Sequence, residues 1–152
     1  MKLRTFFIKI PSIVLLYCAQ NLALAQPLPV NIQAIQKGCE SGAKTYSAVA
    51  FEWGALLEKL INTTLPNSAE RKRGFSIIAK VEDDLKDKLF EQQKIELKGY
   101  ENDHWIKFFH AAVEYSLSLS FTALIANPGK TEIYYRRTAE TECTAKLLTA
   151  LR

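Results

Sequence analysis

The sequence predicts an all-α protein, an antiparallel up-down-up-down bundle of four helices closed by one disulfide bond. Three observations indicate this fold. Residues 32–60 carry one continuous apolar stripe with the period of about 3.5 residues that is typical of helix packing. Short loops separate this segment from three further helical segments. Two cysteines, Cys39 and Cys143, lie in the first and last helices, where antiparallel packing places them at similar heights.

The N-terminal segment has the three-part form of a secretory signal peptide. Basic residues come first, an apolar stretch follows, and Ala23-Leu24-Ala25 presents small residues at the positions that a signal peptidase must accommodate. We expect cleavage after Ala25. This divides the chain into a signal peptide at residues 1–25 and one helical domain at residues 26–152, which is exported to the periplasm or secreted.

Two other fates of this segment fit the sequence less well. Lipoprotein processing at Cys18 requires a small residue before the cysteine, whereas Tyr17 is bulky. An uncleaved membrane anchor requires about 20 apolar residues. The apolar run is shorter, and Pro11 and Gln20 interrupt it. No stable membrane insertion is therefore expected after cleavage.

Cleavage changes both the charge and the cysteine count. The signal peptide holds three of the 20 basic residues, so 17 remain against 16 acidic residues and the net charge is +1. This charge gives no support to a nucleic-acid partner. Cys18 is also removed, and Cys39 and Cys143 are then expected to form a disulfide bond rather than two separate buried thiols.

The first predicted helix has the strongest pattern in the chain. Its apolar stripe runs through Ile32, Ile35, Cys39, Gly42, Tyr46, Val49, Trp53, Leu56 and Leu60. Gly38 and Gly42 lie on either side of Cys39, which indicates that a neighbouring helix comes close there.

The second predicted helix starts near Ser68 and runs to about Lys98, where Gly99 is a natural stop. Its inward stripe consists of Ile78, Val81, Leu85 and Leu89. The charged cluster at residues 70–73 is interpreted as a solvated face.

The third predicted helix begins at Asp103, a good N-cap, and is apolar on nearly all sides, which is typical of a central helix. Residues 116–121 alternate between serine and an apolar residue, which is a strand signature. An α+β fold with a hairpin at residues 116–136 is therefore the alternative. We favour the helix because an isolated hairpin has little stability.

The last predicted helix runs from about Thr131 to Leu151 and contains the candidate partner-binding residues Tyr134, Tyr135, Arg136 and Arg137. Tyrosine and arginine are enriched at binding hot spots. The helical period places one of the two tyrosines in the core and the other on the surface.

A candidate ligand pocket consists of Tyr46 and Trp53, at the same heptad position of the first helix, with His110 and Glu114 as polar contacts. Glu101 and His104 have a Glu-x-x-His spacing, but a carboxylate-bridged di-metal bundle needs two such pairs. We predict that Asp103 and His104 form the helix cap, that His110 contacts Glu114, and that no metal or cofactor is bound.

No catalytic constellation is recognisable, so an enzyme is not expected. The absence of a Gly-x-Ser-x-Gly turn and of a glycine-rich phosphate loop supports this view. The expected function is that of an exported helical protein that binds another protein, as an inhibitor, immunity factor, chaperone or secretion-system accessory. The alternative is a bundle that binds a small ligand or a metal.

Overall fold

The computed structural model describes residues 29–151, which form four helices joined by short loops. They are α1 (Val30–Thr63), α2 (Ala69–Glu96), α3 (His104–Ala126) and α4 (Glu132–Ala150). The predicted four-helix bundle is confirmed, with boundaries within a few residues of the expected ones. The predicted signal peptide at residues 1–25 and its cleavage site after Ala25 lie outside the described residues.

Three of the helices begin at a side-chain cap. Ser68, Asp103 and Thr131 precede α2, α3 and α4, and each side chain accepts a hydrogen bond of 3.2 Å from the backbone N–H three residues later. Each cap satisfies a backbone donor that has no partner inside its helix, and such a cap stabilises a helix by about 1 kcal/mol. The N-cap predicted at Asp103 is confirmed.

The bundle has the cross-section of a rhombus whose short diagonal joins α1 and α3. These two helices run parallel, since Gly38 faces Ala112 and Gly42 faces Ser116. α4 runs antiparallel to α1, since Cys143 meets Cys39 and Tyr135 meets Gly54, and it packs against both α1 and α3. α2 packs on the opposite flank, and the described parts of α2 and α4 do not meet. The apolar third helix is therefore the central one, as expected.

Two glycines allow α1 and α3 to come this close. A Cβ atom built on Gly38 would lie 2.4 Å from the carbonyl oxygen of Phe109, and one on Gly42 would lie 2.8 Å from that of Val113. Both distances are well inside van der Waals contact, so no larger residue fits without a shift of the backbone. The close approach predicted from Gly38 and Gly42 is confirmed.

The inward stripe of α1 differs from the predicted one at its C-terminal end. Leu56 was expected to face the core, but it is 58% exposed, whereas Leu57 is 1% exposed. The prediction used a period of 3.5 residues, and a straight α-helix has 3.6 residues per turn. Over several turns the buried face therefore moves around the helix, from Tyr46 to Ala50 and then to Leu57.

The hairpin alternative at residues 116–136 is wrong. Residues 116–126 belong to α3 and residues 132–136 to α4, and residues 29–151 contain no strand. The alternating serines serve close helix packing instead. The Ser116 hydroxyl donates to the carbonyl oxygen of Cys39 at 3.1 Å, and the Ser120 hydroxyl donates to that of Ser116 at 2.9 Å. Buried serines are small enough for this helix contact and satisfy their own hydroxyl groups within it.

The predicted pairing of Cys39 with Cys143 is confirmed, and the alternative of two separate thiols is wrong. Their sulfur atoms lie at the bonding distance of 2.05 Å, and both side chains are completely buried. The bond joins α1 to α4 inside a core cluster formed by residues of α1, α3 and α4.

Candidate functional site

The residues predicted to carry function lie at four separate places. Tyr46 and His110 line one cavity between α1, α2 and α3. Trp53 lines a cleft between α1 and α2, and Glu114 lies in a shallow hollow between α3 and α4. The residues Tyr134 to Arg137 begin α4. The structure therefore brings together two of the four residues proposed for a ligand pocket.

The cavity that contains Tyr46 and His110 has a volume of about 220 Å³ and a mixed polar and apolar lining. Tyr46 and His110 are only 9% and 8% exposed. Burial raises the pKa of the Tyr46 phenol. The phenol is therefore protonated at neutral pH and available as a hydrogen-bond donor, and its hydroxyl makes no hydrogen bond to any residue between 29 and 151.

The imidazole of His110 pairs with a carboxylate of another helix. Its Nε2 atom lies 3.2 Å from Oε2 of Glu96 in α2. The carbonyl oxygen of His110 accepts a hydrogen bond of 3.3 Å from the side-chain amide of Gln93. The contact predicted between His110 and Glu114 is therefore replaced by a contact with Glu96, and these polar bonds fasten the C-terminal end of α2 to α3.

The residues considered for a metal site have structural roles. Asp103 caps α3, and the carboxylate of Glu101 accepts a hydrogen bond of 3.1 Å from the backbone N–H of Gly99. This bond lowers the pKa of Glu101. Between residues 29 and 151, no group of three or more His, Cys, Asp or Glu side chains is close enough to hold a metal ion.

The cleft that contains Trp53 has an apolar lining and a volume of about 250 Å³. Its walls come from one face of α1 and the facing side of α2, and they consist of Trp53, Leu56, Leu57, Leu60, Gly74, Ile77 and Ile78. The charged side chains of Glu70 and Arg73 line its mouth. Sequence reasoning identified Trp53 but missed the α2 wall, since the stripe predicted for α2 begins at Ile78.

The charged cluster at residues 70–73 is not a uniformly solvated face. The guanidinium of Arg71 donates hydrogen bonds to the carbonyl oxygens of Ile61 and Thr64, and its Nε atom donates to the Thr64 hydroxyl at 3.3 Å. Arg71 therefore satisfies carbonyl groups at the C-terminal end of α1 that have no partner inside that helix. Glu70 and Arg73 remain on the surface at the cleft.

Some side chains at the start of α4 lie in the core, and others lie on the surface. Tyr135 is completely buried, whereas Tyr134 is half-buried and packs edge-to-face on it with 5.6 Å between the ring centres. The prediction that one tyrosine lies in the core is confirmed. Arg137 is exposed and Arg136 is half-buried, and neither forms an ion pair within residues 29–151.

Replacing Tyr135 by phenylalanine should lower the free energy of unfolding by about 1–2 kcal/mol. The buried hydroxyl donates to the carbonyl oxygen of Asn127 at 2.9 Å and accepts from the N–H of Lys130 at 3.1 Å. Both backbone groups lose their partner in the variant. Urea unfolding monitored by circular dichroism measures the loss.

The matched control is Tyr134→Phe, because the Tyr134 hydroxyl makes no hydrogen bond to the described part of the chain. A change within about 0.5 kcal/mol is expected there. Equal effects of the two substitutions would show that the Tyr135 hydroxyl does not hold the α3–α4 turn.

α3 is long and apolar enough to cross a membrane by length and composition, with a mean hydropathy of 1.3. More than half of its apolar window, 56%, is buried inside the bundle, as in the core helix of a soluble domain.

Comparison of the chain with protein-family models, with curated proteins and with solved structures finds no match.

Proposed function

We propose that the protein is exported and acts by binding another protein through the exposed face at the start of α4. Export is supported by the signal-peptide pattern of residues 1–25, with cleavage after Ala25, and by the disulfide bond, which is compatible with an oxidising compartment such as the periplasm. In this role the protein is an inhibitor, an immunity factor, a chaperone or a secretion-system accessory.

The observation that carries the proposal is the composition of this face. Ile133 is 63% exposed, and it lies beside half-buried Tyr134 and the two arginines, Arg136 and Arg137. Aromatic and arginine side chains dominate the energetics of protein interfaces, and exposed apolar side chains gain most from being covered. Two guanidinium groups without an ion pair in the described chain remain free to bind carboxylates of a partner.

Capture of the partner should depend on this face. The bait is the exported chain, whose mass also shows whether cleavage follows Ala25. The variant combines Ile133→Ser, Arg136→Ala and Arg137→Ala, and it leaves buried Tyr135 in place. We expect a defined protein from periplasmic extract to bind the wild type at least tenfold more strongly than the variant, because each hot-spot side chain typically contributes 1 kcal/mol or more.

The control variant carries Ile95→Ser, Lys88→Ala and Lys98→Ala, which remove one exposed apolar side chain and two basic ones from the region of α2. It should retain capture. If no protein distinguishes the wild type from the α4 variant, this face is not the binding surface.

A further inference from the structure

The cleft between α1 and α2 has the size and lining of a site for a small apolar molecule. Its volume is about 250 Å³. A cavity of about 150 Å³ lined by aliphatic and aromatic side chains is sufficient to bind benzene, so on this scale the cleft accommodates about ten non-hydrogen atoms. Leu56 and Ile77, which are 58% and 45% exposed, border the opening. A ligand would cover both side chains.

A glycine keeps the cleft open on the α2 side. A Cβ atom on Gly74 would lie 2.0 Å from a terminal methyl carbon of Leu60. Any larger residue at position 74 would therefore displace the Leu60 side chain, which itself lines the cleft. The open space of the cleft therefore depends on glycine at position 74, where α2 faces α1.

The segment beside the cleft, residues 70–73, comprises one acidic and three basic residues, a net charge of +2. Only Arg73 and Glu70 of this segment line the cleft, so the lining itself holds one positive and one negative charge. Arg71 is turned toward the end of α1. Within residues 29–151, Arg73 forms no ion pair, so its guanidinium is available for an anionic group of a ligand.

We propose that this cleft binds a small amphipathic carboxylate, with its unbranched apolar tail between Trp53, Leu56 and Ile77 and its carboxylate at Arg73. An apolar cavity next to an unpaired guanidinium matches the two ends of such a molecule. This site lies apart from the α4 face and does not depend on the binding of a protein there.

Titration with sodium decanoate below its micelle concentration tests the site. The chain has two tryptophans, so Trp105→Phe leaves Trp53 as the reporter. We expect a saturable change in Trp53 fluorescence, with an affinity that falls as salt is raised. Decanol and decyltrimethylammonium, which have the same tail without the negative charge, should bind more weakly.

Two single substitutions at the mouth should act in opposite directions. Arg73→Gln should weaken decanoate binding about two- to fivefold, and Glu70→Gln should strengthen it by a similar factor, which is the size expected for exposed charges. Gly74→Leu, which fills the cleft, should abolish saturation. Gly74→Leu also disturbs the packing of α2 against α1, so a second variant tests the tail site. Ile77→Gln changes an exposed position, and it should weaken decanoate binding without loss of helix content.

Absence of a saturable change in Trp53 fluorescence would overturn the proposal. It would also be overturned if decanol bound as tightly as decanoate and neither Arg73→Gln nor Glu70→Gln altered the affinity. The variant that removes Ile133, Arg136 and Arg137 should bind decanoate with unchanged affinity, so failure of this site and failure of the protein-binding face are distinguishable.

Discussion

The double variant Cys39→Ala/Cys143→Ala is expected to lose about 4–5 kcal/mol of unfolding free energy. The disulfide spans a sequence separation of 104 residues. A cross-link of this length removes many conformations from the unfolded chain, and its contribution in the chain-entropy model grows with the length of the closed loop. A small domain typically has a total stability of 5–15 kcal/mol, so the variant should be only marginally folded.

Urea unfolding of residues 26–152 with and without reductant measures this effect. The wild type in reductant provides the matched control, because it loses the cross-link but retains both sulfur atoms in the core. It should lose nearly as much stability as the double variant. A loss below about 1 kcal/mol in both cases would show that the bond contributes little, and free-thiol titration of the unfolded protein would show whether it had formed.

The double variant Gly38→Ala/Gly42→Ala is expected to lose about 2–4 kcal/mol of unfolding free energy, even though alanine has a higher helix propensity than glycine. The new methyl groups would meet the carbonyl oxygens of Phe109 and Val113 at 2.4 and 2.8 Å. These are backbone atoms of the central helix and have no alternative rotamer. α1 and α3 must therefore separate, which disturbs the packing around Cys39 between them.

The matched control for this variant is Gly74→Ala, also in a helix. Its methyl group would meet only the end of the Leu60 side chain, which has other rotamers. The cost of moving Leu60 and the gain of about 1 kcal/mol in helix propensity should nearly cancel. Thermal unfolding followed by circular dichroism compares the two variants. A similar small effect in both would mean that α1 and α3 adapt without cost.

The parts of the fold that depend on local pattern were predictable from the sequence. The helices, the cap at Asp103 and the pairing of Cys39 with Cys143 follow from apolar periodicity, residue type and the export predicted for the chain. Which two of the four helices come closest depends on how their surfaces fit together, and periodicity gives no direct measure of that. Gly38 and Gly42 indicated a close contact, but nothing in their pattern identified α3 as the partner.

The candidate sites, too, depend partly on local pattern, which the sequence shows, and partly on how the helices pack, which it does not show. Tyr46 and Trp53 share a heptad position, but seven residues along a helix correspond to about 10 Å. The two side chains open onto different cavities, and each cavity is closed by a different part of α2. The contact of His110 with Glu96 joins residues of two helices, and it depends on how α2 is placed against α3. Helical spacing had suggested Glu114 instead.

The disulfide also determines what a single proteolytic cut does to the molecule. Residues 98–103 form an exposed connection between α2 and α3, and a cut there would give two fragments, one with Cys39 and the other with Cys143. The covalent link between α1 and α4 holds these fragments together, and the packing of α1 against α3 and α4 does not pass through the severed connection. The chain therefore remains one molecule after a single cut in this loop.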